Sequence, residues 1–276
     1  MFCGAFRGGA GIVIDGRAII DPSAQLGENV SIGPWSIIGP GVEIGDHVEI
    51  ASHVVLKGPS IIGPGVRIYQ FATVGEDTPA LAYDGEASTL EIGEGTVIRE
   101  GVTIHRGMVR GGVGKTVVGK HCLLMAYVHV GHDCIVGDHV IMANNASIAG
   151  HVTVGDYANF GGYCGIPQFR AVGAYSHIAA MSLVVKDVPA YMTVTGNPAY
   201  AAGLNLEGMK RRDFSEGSIG AIKQAYKTVY RQGLTVADAL AELAPLRAEY
   251  PEVDVYAQSI EKSEWGIIRG RGSGSD

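Results

Sequence analysis

The chain has 276 residues, of which 46% are hydrophobic and 18% are charged, a composition typical of a folded protein. The formal net charge of −7 argues against a nucleic-acid-binding protein, because such proteins present a basic surface to phosphates. No apolar run approaches the roughly 20 residues of a membrane span, and the N-terminal stretch lacks the apolar core of a signal peptide. We therefore expect a cytoplasmic protein.

A period of six residues dominates the first two thirds of the sequence. Apolar residues recur at this spacing from Ile14 to Val184, with two interruptions, and a glycine often follows them. No α-helix has this period, whereas hexapeptide repeats are the signature of a parallel β-helix in which three hexads close a coil of about 18 residues. Known hexapeptide proteins of this kind are left-handed. We therefore predict an all-β left-handed parallel β-helix over residues 12–200.

Two segments interrupt the repeat, and a different pattern follows it. Residues 76–89 and 106–115 are predicted to leave the coil as loops, and loops of this length in a regular scaffold often carry function. Residues 201–269 have helical periodicity and are expected to form a small α-helical domain of three amphipathic helices. The glycine- and serine-rich tail, residues 270–276, is predicted to be disordered.

Helix boundary signals support the C-terminal assignment. Ser215 and Thr235 are good N-cap residues, and Pro251 suits the first turn of a helix. Gly233 is placed to end the first of the long helices. These signals predict one helix after each of Ser215 and Thr235, and a third that starts at Pro251.

Four of the nine histidines lie between residues 129 and 151, and the coil period relates them to other polar positions. Residues one coil apart are expected to lie above one another, which predicts a column of His132, Gly150 and Gln168. His151 follows Gly150 directly, and His129 precedes His132 in the same hexad region.

Three interpretations of this histidine cluster are open on the residues alone. The histidines could bind zinc, as they do in carbonic anhydrases of this fold. Alternatively, His132 could be a general base whose tautomer is fixed by Asp133, with the Gly150 N–H as an oxyanion donor. A purely structural role is the third interpretation.

Several motifs together resemble one known family, the UDP-N-acetylglucosamine acyltransferases. The similarity extends over about residues 17–269 and rests on IYQFATVGED at 68–77, IHRG at 104–107, HVGHDC at 129–134, AGH at 149–151, GNPA at 196–199 and NLEGMKRRDFS at 205–215. The resemblance implies a homotrimer that transfers a (3R)-hydroxyacyl chain from acyl carrier protein to the 3-hydroxyl of UDP-N-acetylglucosamine, the first step of lipid A synthesis. It implies no metal and no organic cofactor.

The resemblance also assigns roles to individual residues. It makes His132 the general base, Asp133 the group that orients its ring, and Gly150 the oxyanion donor. Lys210 with its two neighbouring arginines would form a basic landing site for the acidic carrier protein. Substrate contacts are implied for Tyr83, His129, His151, Gln168, Asn205, Glu207, Arg211 and Arg212.

The sequence departs from the family pattern at three positions. Ala80 and Ala82 stand where the family usually has Asp and Lys in contact with the sugar nucleotide, and Pro167 stands where it usually has His. Each lost contact to a charged group is worth about 1.5–3 kcal/mol. Three alternatives to the implied activity therefore stay open: a paralogue that acylates another nucleotide sugar, a zinc-dependent γ-type carbonic anhydrase, and a non-catalytic trimeric scaffold.

Overall fold

The structure is a computed structural model that describes residues 13–271. The expectations for residues 1–12 and for most of the C-terminal tail, residues 272–276, lie outside this range. The chain divides into two units, here called the N-terminal unit, up to Cys134, and the C-terminal unit, from Ile135. Both units contain coils of the left-handed parallel β-helix.

The N-terminal unit consists of short parallel strands in three sheets. Within this unit, each strand pairs with the third one after it, so three strands make one coil. The strands are β1 Val13–Ile14, β2 Ile19–Ile20, β3 Gln25–Leu26, β4 Ser31–Ile32, β5 Ile37–Ile38, β6 Val42–Ile44, β7 Glu49–Ile50, β8 Val55–Leu56, β9 Ser60–Ile62, β10 Arg67–Ile68, β11 Thr73–Glu76, β12 Thr89–Ile92, β13 Val97–Ile98, β14 Thr103–His105, β15 Lys115–Val118, β16 Leu123–Leu124 and β17 His129–Val130.

The pairing register shows how the coil accommodates the two interruptions of the repeat. Val13 of β1 pairs with Ser31 of β4, which is the regular step of one coil. The step is longer from Arg67 to its partner Val97, and again from Val97 to Leu123, because an inserted loop lies within each of these coils. The strands that flank the loops keep their parallel partners, with one register shift between Val74 and Glu76, where the first loop leaves the coil.

The periodic apolar residues form the interior of the coils. All but the first three of the positions from Ile14 to Val184 are buried. Ile14 is 39% exposed, because in the described part of the chain its coil has a neighbouring coil on one side alone. In most hexads the residue two places earlier is also buried and is usually small, and Cys122, Cys134 and Cys164 occupy such positions.

The C-terminal unit continues with strands and ends with helices. Its strands are β18 Ile135–Val136, β19 Ile141–Met142, β20 Ser147–Ile148, β21 Thr153–Val154, β22 Asn159–Phe160, β23 Gly165–Ile166, β24 Ala171–Val172, β25 His177–Ile178, β26 Met192–Gly196 and β27 Ala199–Leu204, of which the last two form an antiparallel hairpin. The helices are α1 Leu206–Lys210, α2 Glu216–Arg231, α3 Val236–Glu242, α4 Ala244–Glu249 and α5 Pro251–Glu261.

The helices differ from the three that were predicted. Ser215 and Thr235 are N-caps, as expected, and α5 begins at Pro251. The expected middle helix is divided into α3 and α4, because Pro245 in the first turn of α4 has no N–H to continue α3. The short helix α1 was missed, although Asn205 caps it. Within the described range, no helix is long and apolar enough to cross a membrane.

Candidate active site

His132 and Asp133 follow strand β17 at a corner of the N-terminal unit. Asp133 has a φ of 58°, the left-handed conformation that turns the chain between two faces of the coil and that aspartate tolerates better than most residues. Both side chains are buried, with His132 6% and Asp133 3% exposed. A buried histidine next to a buried carboxylate is uncommon without a specific hydrogen-bonding arrangement.

The two side chains form a direct hydrogen bond. Nδ1 of His132 lies 2.8 Å from Oδ2 of Asp133. Because an ionised carboxylate only accepts hydrogen bonds, the imidazole donates from Nδ1 and has its basic lone pair on Nε2. The pair thus has the tautomer that a general base requires.

Backbone groups of the second inserted loop hold the Asp133 carboxylate. Oδ1 accepts hydrogen bonds from the N–H groups of Val113 at 2.8 Å and Gly114 at 3.0 Å, and Oδ2 accepts one from Met108 at 3.1 Å. The N–H of Asp133 donates to Oγ1 of Thr116 at 2.8 Å. These donors replace the water that a buried carboxylate has lost, and they fix its orientation toward His132.

The first inserted loop is anchored on Arg106, a buried residue at the start of the second loop. The Arg106 guanidinium donates to the backbone oxygen of Gly75 and forms an ion pair with Asp77. The predicted substrate residue Tyr83 donates to Oδ1 of Asp77 at 3.1 Å, so its hydroxyl takes part in this anchor. Ala82 is exposed nearby in the same loop.

His129 lies on strand β17, beside the preceding coil. Its Nδ1 is 2.8 Å from Oγ1 of Thr103, and its ring packs edge-on against His105 with 5.4 Å between the centroids. Burial lowers the pKa of His129, and the nearby His105 and His132 lower it further. The ring therefore favours its neutral form, which suits a hydrogen-bonding contact to a substrate.

Gly150, His151 and Gln168 belong to the C-terminal unit. Ser147 pairs with Gly165, the regular step of one coil, which places Gly150 and Gln168 in corresponding positions of adjacent coils, as predicted. His151 stacks on Phe169 with 4.5 Å between ring centroids. The predicted third member of the column, His132, belongs to the N-terminal unit.

The remaining predicted residues line one groove of the C-terminal unit. Asn205, Glu207, Arg211 and Arg212 border a groove of about 870 Å³, whereas His151 lines a different groove. Oδ1 of Asn205 accepts from the N–H of Gly208 at 3.0 Å, and its Nδ2 donates to the backbone carbonyl oxygen of Tyr175 at 2.9 Å. The side chain of Asn205 thus holds the start of α1 against the coil.

Sequence reasoning missed several residues that line the same groove. His139 stacks on Tyr157 with 4.6 Å between ring centroids, and Tyr157 stacks on Tyr175 at 4.9 Å. Arg212 lies over the Tyr157 ring, 4.5 Å from its centroid. The spacing of one coil between successive rings was the signal that could have identified them.

Comparisons with known proteins identify one family. A model described as UDP N-acetylglucosamine O-acyltransferase, domain 2, matches residues 187–268, and a bacterial transferase hexapeptide model matches residues 23–58 and 115–150. The acyl-[acyl-carrier-protein]–UDP-N-acetylglucosamine O-acyltransferase of Pseudomonas syringae pv. syringae is 57% identical over 257 residues, which are 93% of this chain and 99% of that protein. The protein of the same name from Stutzerimonas stutzeri is 54% identical with the same coverage.

Solved structures lead to the same family. The UDP-N-acetylglucosamine O-acyltransferase of Moraxella catarrhalis has a TM-score of 0.91 and 44% identity, with 93% of this chain and 99% of that chain covered. The Francisella novicida UDP-N-acetylglucosamine acyltransferase has a TM-score of 0.92 and 37% identity, with 95% of each chain covered. The zinc enzyme, the paralogue with another acceptor and the scaffold are not favoured. The chain belongs to the acyl-[acyl-carrier-protein]–UDP-N-acetylglucosamine O-acyltransferase family.

Proposed function

We propose that this protein transfers a (3R)-hydroxyacyl group from acyl carrier protein to the 3-hydroxyl of UDP-N-acetylglucosamine, with His132 as the general base. The observation that carries the proposal is the buried His132–Asp133 pair, whose tautomer leaves the basic lone pair on Nε2. Family membership supports the donor and the acceptor, because relatives that cover almost the whole chain carry them in their names.

The proposed chemistry requires few groups. Nε2 of His132 takes the proton of the sugar hydroxyl as its oxygen attacks the thioester carbon. The N–H of Gly150 stabilises the negative charge that develops on the thioester oxygen. Collapse of the tetrahedral intermediate then expels the carrier thiolate, which receives the proton from His132. Because a thioester is already activated, no covalent enzyme intermediate is needed.

Further residues are proposed to bind the substrates. Arg211 and Arg212 suit a diphosphate, because each guanidinium can donate two parallel hydrogen bonds. Tyr83, His129, His151 and Gln168 would position the sugar and the acyl chain, and Asn205 and Glu207 the nucleotide. Lys210 adds positive charge for an acidic carrier protein, and we propose that the protein acts as a homotrimer.

Mass spectrometry of the reaction products tests this function. The full chain is incubated with hydroxyacyl-carrier proteins of several chain lengths and UDP-N-acetylglucosamine. We expect a UDP-3-O-acyl product from the wild type and a loss of about 1,000-fold or more in rate for His132→Ala, because removing a general base typically costs 10²–10⁴-fold. His47→Ala is the matched control, since His47 is an exposed histidine at another corner of the same unit.

The possible outcomes separate the alternatives. If the product forms at the wild-type rate with His132→Ala, His132 is not the general base, although the protein does catalyse the acyl transfer. No product from UDP-N-acetylglucosamine, together with product from another nucleotide sugar, would contradict the proposed acceptor and direct attention to Ala80 and Ala82.

A further inference from the structure

The second inserted loop, which in the structure spans residues 106–114 between β14 and β15, has few apolar contacts to define its conformation. Its two valines are exposed, Val109 to 57% and Val113 to 67%, whereas Met108 is buried. The loop also contains four glycines, which increase the conformational freedom of the backbone. Polar contacts must therefore fix the backbone N–H groups that this loop directs at Asp133.

Glu86 of the first inserted loop provides such contacts. Its Oε1 accepts hydrogen bonds from the N–H groups of Val109 at 3.1 Å and Arg110 at 3.3 Å, and its Oε2 accepts one from Asp84 at 2.9 Å. Hydrogen bonds from the backbone, that of Asp84 first, lower the pKa of Glu86. The carboxylate is therefore charged at neutral pH and binds both loops.

The two carboxylates share one short stretch of backbone. The N–H groups of Val109 and Arg110, which donate to Glu86, stand between those of Met108 and Val113, which donate to Asp133. A change at Glu86 can thus reach Asp133 through a few peptide units. No substrate or partner is needed for this connection, which lies wholly within the N-terminal unit.

We propose that Glu86 is a positioning residue for the His132–Asp133 pair. Glu86 holds the second loop in the conformation that directs its N–H groups at Asp133, and Asp133 in turn fixes the ring and tautomer of His132. The inference rests on the proposed function, because it concerns the efficiency of the same base. It predicts that changes at Glu86 reduce kcat more than they raise KM, since the base acts in the transition state.

A double-mutant cycle tests this inference against a general structural role. We expect Glu86→Ala to lower kcat by about 10-fold with KM values within about 2-fold of the wild type, and Glu86→Gln, which keeps one acceptor oxygen, to lower it less. In the Asp133→Asn background, Glu86→Ala should have no further effect on kcat. Glu91→Gln is the control, because Glu91 makes an exposed ion pair with Lys115.

Proton NMR of the ¹⁵N-histidine-labelled protein provides a readout that does not depend on activity. The wild type should give a low-field signal for the His132 Nδ1–H, which is absent from His132→Ala. We expect Glu86→Ala to broaden or shift this signal and Glu91→Gln to leave it unchanged. A wild type without product but with these NMR changes would refute the proposed function and keep the positioning role.

Two results would overturn the inference. One is a wild-type kcat for Glu86→Ala. The other is an equal loss of kcat from Glu86→Ala with and without Asp133→Asn, together with an unchanged His132 signal, because additive effects indicate that the two residues act independently.

Discussion

The His132–Asp133 pair of the N-terminal unit and the groove of the C-terminal unit are built from different chemical groups. His132 and Asp133 are almost completely buried, and backbone N–H groups fix the carboxylate. The groove instead presents long, exposed side chains, such as Glu207, Arg211 and Arg212. Backbone donors hold one geometry, whereas exposed side chains adapt to a ligand. Small changes near the base should therefore reduce the rate strongly, and changes in the groove should mainly weaken binding.

Among changes that keep both His132 and Asp133, the largest effect is expected from one methyl group added beside this pair. A Cβ at Gly112 would lie 2.5 and 2.6 Å from the two Asp133 oxygens and would also collide with the backbone oxygen of Met108. Gly112→Ala must therefore displace the carboxylate or the loop. We expect kcat to fall by about 100-fold with much smaller changes in KM, in keeping with the usual contribution of an oriented base. Steady-state kinetics with both substrates measures this.

Gly16→Ala is the matched control for this substitution, because a Cβ at Gly16 meets no atom within 4 Å. It should have wild-type kinetics. A wild-type kcat for Gly112→Ala would show that the Asp133 carboxylate tolerates displacement. The His132–Asp133 pair would then be no more rigid than the groove.

A smaller effect, with the opposite kinetic signature, is expected in the groove. Arg212 is exposed and lies over Tyr157. We expect Arg212→Ala to raise KM for the nucleotide sugar by about 10-fold and to change kcat by less than about 2-fold, because an exposed charge-assisted contact stabilises ground and transition states alike. Arg17→Ala is the control, since Arg17 is also an exposed arginine over an aromatic ring, that of Trp35. A fall in kcat with constant KM would contradict this division of roles.

The sequence predicted the β-helical coil better than it predicted the hydrogen bonds that hold the Asp133 carboxylate beside His132. The hexad determines which residues point inward, because strand pairing advances by one regular coil through most of the repeat. It also predicted that Gly150 and Gln168 occupy corresponding positions of adjacent coils. The roles of His132 and Asp133 were one of three open interpretations of the residues, and the family resemblance favoured it. Ile14 is an exception, since burial depends on a neighbouring coil as well as on the pattern.

The contacts of the inserted loops were not predictable in the same way. The donors to Asp133 are backbone N–H groups, which every residue except proline has, so the stretch RGMVRGGVGK carries no side-chain signal for them. Arg106 and Glu86 connect loops whose conformations follow no repeat. The groove residues His139 and Tyr157 did leave a signal, since they occupy corresponding positions of adjacent coils, but it required the coil period to be applied to aromatic residues.

The smallest predicted effect concerns pH and tests whether the buried character of the base region extends to His129. Burial, followed by the charges of His105 and His132, lowers the pKa of His129 in the folded protein. In the unfolded chain this histidine has an ordinary pKa of about 6.5. As the pH falls below that value, the unfolded state binds the proton first, so the folded state loses stability. Above it, both states are neutral and the pH has no effect through this residue.

His129→Gln removes this titration, and the difference should appear in thermal unfolding. Between pH 7.5 and pH 5, we expect the Tm of the variant to fall less than that of the wild type, by on the order of 2 °C at equal protein concentration. Burial also lowers the pKa of His177. Because His177 is present in both proteins, its contribution cancels from the difference in Tm. The exposed His47 provides the control His47→Gln, whose Tm should fall as much as that of the wild type between pH 7.5 and pH 5. If His129→Gln loses as much Tm as the wild type on acidification, His129 is as well solvated as a surface histidine, and the rigid, dehydrated region is limited to His132 and Asp133.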